Sequence, residues 1–342
     1  ANSVAAMDKI LKGFTDLDDT SGDIMKTQAT NALSNVIPNA GESRAAARER
    51  FVQANPDAFG SSYLDVDAMS GIEKSLSALD AGKAIALMAW QTKSIWQFED
   101  CGDNWKQVDS AKILPCIAIP TTAGTGSEVG RASVIVDEDS HSKKIIFHPL
   151  MLPKQVILDP ELSQDLPPHL TAATGLDAFV HCFEAFCAPS YHPMAEGIAL
   201  QGMKLIKQWL PEAYRNGNNL DARGHMLTAS MMGATAFQKG LGACHALAHP
   251  LGALYDKHHG LLNAILLPYV VQANGEAIED KLAILCQFLN IEKQPEEPHY
   301  CAVFLRWLIA LRSELGIPHT LAEIGIESND STSKNYAIEE LA

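Results

Sequence analysis

No stretch of this 342-residue chain approaches the roughly 20 consecutive apolar residues that a membrane span needs. The longest candidates, Ile265–Val271 and Ala302–Leu311, are short and broken by Pro268 and Arg306. Basic residues are scarce. The chain has 26 Lys and Arg against 41 Asp and Glu, a net charge of −15, which excludes nucleic acid and anionic membranes as expected partners. The start of the chain has no apolar segment of the signal-peptide kind, so no signal peptide is expected. The seven cysteines (101, 116, 182, 187, 244, 286 and 301) are odd in number and scattered. That argues against a disulfide framework and for reduced thiols in the cytoplasm. Cys182 and Cys244 read as core thiols. There is no internal repeat and no low-complexity tract. Residues 1–76 lack the Val/Ile runs of a βαβ unit, and Glu42–Gln53 and Met69–Leu79 read instead as polar helices.

What is present suits a globular protein of two domains: the length allows two, and 47% of the residues are apolar. Residues 111–160 read as strands and turns. Ile113–Ile119 is a short buried strand ended by Pro120, and Ala132–Val136 and Gln155–Leu158 are two more. From Pro167 onward the signals are helical, over Leu170–Cys187, Ala195–Trp209, Asp221–Gln238 and Cys244–Asp256. The reading is an α/β half over residues 1–166 followed by an all-helical half over 167–342, with the boundary near Leu166-Pro167-Pro168.

Two stretches carry chemistry. His245, His249 and His259 lie close together, and upstream Asp177 and His181 are one helical turn apart, so they face the same point. Imidazoles and a carboxylate converging on one spot, with no cysteine among them, read as a catalytic site for a divalent ion such as Fe(II) or Zn(II). The second stretch is Pro120-Thr-Thr-Ala-Gly-Thr-Gly-Ser-Glu-Val129, directly after the first strand. Glycines and hydroxyl residues in such a turn let backbone N–H groups approach an anionic or ribose group closely.

Thr121–Glu128, Leu158-Asp-Pro-Glu-Leu162, Leu166-Pro-Pro168, Thr171–Asp177, His245-Ala-Leu-Ala-His-Pro-Leu-Gly252 and His258-His-Gly260 together resemble the iron-containing (group III) alcohol dehydrogenase family, in order and spacing, from about Ser77 to about Gly325. The resemblance implies an α/β nucleotide-binding domain followed by an all-helical metal-binding domain, the dehydroquinate synthase-like architecture, with a cleft between them. It implies metal ligands at Asp177, His181, His245 and His259, with His249 an active-site residue that relays a proton. It implies cofactor contacts at Ser77, Asp80, Thr121, Thr122, Thr125, Ser127, Lys143 and Leu162. Unaided, Lys143 reads as a solvated charge. The expected cofactors are Fe(II), with zinc or another divalent ion as alternatives, and NAD or NADP. The expected partners are a small alcohol or aldehyde and further copies of the chain, as a dimer or larger.

One part of the family pattern is missing. Ser77–Ala86 matches the end of the pyrophosphate motif, but Gly71-Ile-Glu-Lys-Ser-Leu76 stands where an apolar strand and three glycines belong. Bulky side chains there block close backbone approach, so 68–77 is expected to be irregular or helical. Two further readings follow: a family member that has lost cofactor binding, and a dehydroquinate-synthase-like lyase using NAD and a metal. Of the remaining histidines, His169, His192 and His225 read as structural, His141 and His148 as surface or loop residues, and His258 is open between cleft and solvent.

Overall fold

The computed structural model of the chain describes residues 77–137 and 142–326. The expectations for residues 42–53 and 68–76 and for His141 lie outside them. The described residues fall in one unit of the chain, Asp67–Ala342.

Ser77 opens the first helix, α1 (Ala78–Met88), its hydroxyl accepting the Asp80 N–H at 3.1 Å. Four short strands follow. β1 (Ile117–Ala118) pairs in parallel with β4 (Gln155–Val156), and β2 (Ala132–Asp137) pairs antiparallel with β3 (Ser142–Phe147). The strand expected over 113–119 is therefore reduced to two residues, and of the expected buried stretch only Ala118 is buried, while Leu114 and Ile117 are 42% and 43% exposed. Pro115 explains the shortening, since it has no N–H to give a ladder. β3 was not anticipated. Its Ser-Lys-Lys start hides the alternation, which appears only where Ile146 turns inward against Ile135. Leu87, Ile95, Phe98, Ile135 and Ile146 make a small core beneath α1.

From Pro168 every described element is helical: α2 (Pro168–Cys187), α3 (Pro193–Arg215), α4 (Leu220–Ala236), α5 (Ala243–Tyr255), α6 (His259–Asn274), α7 (Glu279–Phe288) and α8 (Tyr300–Glu314), apart from short 3-10 turns. The four expected helices are all there. α3 runs past its expected end because Pro211 is accommodated inside it. α6, α7 and α8 were not anticipated. α6 is buried on all sides from Leu262 to Pro268, so it shows no 3.6-residue rhythm.

α2 is the central helix. It is buried without a break from Gly175 to Phe186, packed by α3, α4 and α6. Phe179 packs against Phe304 and Trp307 of α8, with centroids at 6.3 and 5.6 Å. Each such buried side chain contributes on the order of 1.5–3 kcal/mol. Because α2 is held on every side, any polar group on it is fixed relative to its neighbours. α6 meets it closely at Gly260, where a β-carbon would stand 2.6 Å from the Ala173 carbonyl oxygen and 3.0 Å from Asp177 Cβ. Only glycine lets the start of α6, and with it His259, come this near.

Candidate metal centre and adjoining cleft

Helix spacing puts Asp177, His181 and Glu184 on one face of α2, one turn apart in sequence. α5 brings His245 to this face, and the first turn of α6 brings His259. Ligand atoms of Asp177, His245 and His259 all lie within 4.8 Å of one another. Asp177 Oδ1 is 3.9 Å from His245 Nε2 and 3.7 Å from His259 Nε2. His181 is at the wall of this group rather than in it. Its ring stacks on that of His245 at 4.6 Å, and its buried Nδ1 has no hydrogen-bond partner.

Two residues of this centre escaped the sequence reading. Glu184 accepts from His245 Nδ1 at 2.6 Å and from the Cys244 N–H at 2.6 Å. A carboxylate can only accept, so Nδ1 carries a proton toward Glu184, and Nε2 is the nitrogen turned toward Asp177. Glu184 thereby also caps α5 from outside, where Gly242 at the N-cap offers no side chain. Asn263 donates from Nδ2 to Asp177 Oδ1 at 2.7 Å and lies 3.1 Å from His245 Nε2 and 3.2 Å from His259 Nε2. The signal for both was positional: Glu184 is one turn beyond His181, and Asn263 one turn beyond His259.

The electrostatics suit a cation. Burial would push Asp177 up, but the imidazoles of His181, His259 and His245 outweigh it and hold the carboxyl well below its usual range. Burial lowers His181 to about 4, against the pull of Asp177. Burial also lowers His259, to about 3. Near neutral pH these give an ionised carboxylate and lone pairs on neutral rings, the forms a metal binds. One carboxamide NH₂ with two protons faces three acceptors, and Asn263 Oδ1 and His259 Nδ1 are buried without partners. The donor set is richer in lone pairs than in protons, which a divalent ion would correct.

A cavity of about 280 Å³ runs from His181, His245, His249 and His259 to Thr125, Gly126 and Ser127. His249 stands in its wall, edge-on to His245 at 6.0 Å and tilted to His259 at 5.1 Å. Burial, with Lys143 and His245 beside it, pushes His249 down to about 4. The Gly/Thr turn is wedged against α4. Gly126 has φ +61°, and a β-carbon there would meet Ala234 Cβ at 2.3 Å. Beneath the turn Ser127 donates to Asp80, and Lys83 pairs with Asp80 at 3.2 Å while donating to the carbonyls of Ser127, Gly130 and Ala132. Burial lowers the Lys83 pKa. Asp80 thus lines the cavity as the anchor of the turn.

The other sequence-named residues are less gathered. Ser77, Thr121, Thr122, Lys143 and Leu162 are not among the residues lining this cavity; Thr121 is exposed and Leu162 is 49% exposed. Lys143 is nonetheless no free surface charge. It reaches from β3 to α5, its Nζ about 3.0 Å from where a β-carbon on Gly252 would be, and burial lowers its pKa against the pull of Asp177. His148 lies in a loop as expected but not at the surface: it is 3% exposed, its Nδ1 accepting from the Leu150 N–H and its Nε2 3.3 Å from Ser110 Oγ. His192 caps α3 through Nδ1, His258 caps α6 in the same way, and His225 stacks on Trp209 at 4.5 Å. Cys182 and Cys244 are fully buried, and all seven cysteines are free.

Comparison with known proteins decides the family. The profile described as iron-containing alcohol dehydrogenase matches residues 76–160, and that of the C-terminal part of the same family matches residues 171–339. The chain belongs to the iron-containing alcohol dehydrogenase family. It is 44% identical over 207 residues to a 4-hydroxybutyrate dehydrogenase of Cupriavidus necator, covering 59% of this chain and 53% of that protein. It is 38% identical over 258 residues to alcohol dehydrogenase 4 of Saccharomyces cerevisiae, covering 74% and 65%. The chain thus spans roughly half to two thirds of the length of these relatives. Among solved structures it is similar to a 1,3-propanediol oxidoreductase, with a TM-score of 0.68 and 34% identity over 73% of this chain and 65% of that one. It is also similar to a sulfoacetaldehyde reductase of Bifidobacterium kashiwanohense in complex with NAD+, with a TM-score of 0.66 and 28% identity over 75% and 65%. The fold of the described residues is that of the family.

Proposed function

We propose that the protein is a metal-dependent alcohol dehydrogenase that exchanges hydride between a primary alcohol or aldehyde and NAD(P). The observation that carries this reading is one cavity lined both by His245 and His259, which with Asp177 behind them form the candidate metal cluster, and by the Thr125–Ser127 turn. Asp177, His245 and His259 would hold the ion, with His181 as fourth ligand through the ring now stacked on His245. When bound, the ion supplies Lewis acidity to the substrate oxygen and the nicotinamide supplies the hydride acceptor. Glu184 fixes the His245 tautomer and Asn263 orients Asp177. His249, unprotonated near neutral pH and beside the cluster, takes up the hydroxyl proton on oxidation and returns it on reduction.

The cofactor lies against the turn, with Thr125 and Ser127 nearest the cavity and Ser77, Thr121, Thr122, Lys143 and Leu162 around the rest. The metal is iron(II) on the family's naming, with zinc as the competitor. We place the domain division near residue 166, before the helix α2 that carries Asp177. None of the described helices is long and apolar enough to cross a membrane, and the free cysteines favour the cytoplasm, with the chain acting as a homo-oligomer. The test combines metal analysis with an NADH fluorescence titration on the whole chain. One equivalent of a divalent ion together with saturable NADH binding is expected. Metal without NADH binding would favour a family member that has lost its cofactor.

A further inference from the structure

The cavity is lined by a cation that the proposed hydride chemistry does not use. Arg131, just before β2, lines the cavity together with Gln238 in the 3-10 turn that follows α4. The guanidinium lies over the Phe147 ring at 5.6 Å, and its Nη2 donates to Gln238 Oε1 at 3.3 Å. Arg131 is exposed at the cavity rim, a planar cation laid on an aromatic face and tied at one nitrogen, and its other N–H groups have no partner among the described residues. Among the described residues no carboxylate pairs with it. The contrast with Lys83, the other cation of this cavity, is direct: Lys83 is buried, paired with Asp80 and spent on backbone carbonyls. The same cavity is lined by the metal-cluster histidines and by apolar side chains, among them Ala132, Val134, Phe147, Phe237 and Leu241.

We infer that Arg131 receives the carboxylate of the substrate, and that the preferred substrates are linear ω-hydroxycarboxylates and the matching aldehyde acids. This deepens the dehydrogenase reading and rests on it. The hydroxyl end meets the metal cluster, the methylenes lie along the apolar wall, and the carboxylate is taken by the guanidinium in the two-point geometry that arginine offers. A chain of net charge −15 does not draw an anion by its overall field. Selection for an acid therefore falls to a local cation, and of the two cations lining the cavity among the described residues, Lys83 is paired and Arg131 is not.

The test uses the full chain loaded with iron(II) and cofactor, and compares linear ω-hydroxycarboxylates with 1-alkanols of the same length. Arg131→Gln is expected to lower the ratio of kcat/KM, acid over alkanol, about tenfold, equivalent to about 1.4 kcal/mol. Arg131→Lys is expected to restore part of it. A calorimetric arm independent of turnover titrates the matching linear monocarboxylate, which binds about tenfold more weakly to Arg131→Gln. If no alcohol is turned over but the carboxylate still binds through Arg131, the dehydrogenase reading falls and this assignment stands. An unchanged ratio with unchanged carboxylate binding overturns the assignment. So does a loss of NAD(P)H affinity in Arg131→Gln with the ratio intact, which would give Arg131 to the cofactor.

Discussion

The two sides of the cleft are built differently. On the metal side Asp177, His181 and His245 are 2–5% exposed, each on a helix packed by others, and each held or oriented by a buried neighbour. On the cofactor side Thr121, Thr122, Thr125, Ser127 and Leu162 are on turns, with Thr121 and Leu162 open to solvent, and only Ser77 and Asp80 belong to a helix, at its start. Helices fix a constellation before anything binds, because a side chain on a packed helix has few places to go. Turns present backbone groups to a ligand at the cost of definition. The exception proves the physical point. Where the cofactor side is rigid, at Ser127, it is so because a buried Lys83–Asp80 pair lies beneath the turn.

Substitutions can sharpen or break this contrast. The largest effect expected is that of His249→Ala, a drop in kcat of about 10²–10⁴-fold with the metal retained. Metal analysis beside steady-state kinetics checks it, and metal loss on the scale of His245→Ala would make His249 a ligand. Next comes Lys83→Met, which leaves the Asp80 carboxylate buried without its cation. Breaking a buried pair costs about 3–5 kcal/mol, read by denaturant titration. A loss under about 1 kcal/mol would mean that the turn is not anchored from below. Glu184→Gln is expected to weaken metal binding about 10–100-fold in a chelator competition, since Glu184 sets the tautomer of His245. Unchanged metal affinity with a lowered melting temperature would reduce Glu184 to a helix cap.

The same contrast explains what could be read from sequence. The metal face was legible because its information is positional: Asp177 and His181 at one helical turn, His245 and His259 bracketing a short connection. Glu184 and Asn263 obey that spacing too, but a glutamate and an asparagine on a helix give no signal of burial. β3 was hidden by Lys143 and Lys144, which read as solvated charges until Lys144 pairs with Asp137 and Lys143 reaches across to α5. α6 was hidden by being buried on all sides, and Pro115 cut short a strand that composition alone suggested. Lys143 and His148 show the general limit. A charged or polar residue reads as solvated until the chain brings a second element over it.

The central claim is that Asp177, His245 and His259, with His181 beside them, hold one divalent ion at the head of the cleft. Anomalous diffraction at the iron edge, from crystals of the chain grown with iron(II), tests it most directly. The account predicts a single strong peak with these side chains at roughly 2.0–2.3 Å. A peak bound elsewhere in the cleft, or none here while the protein binds the ion in solution, would contradict it.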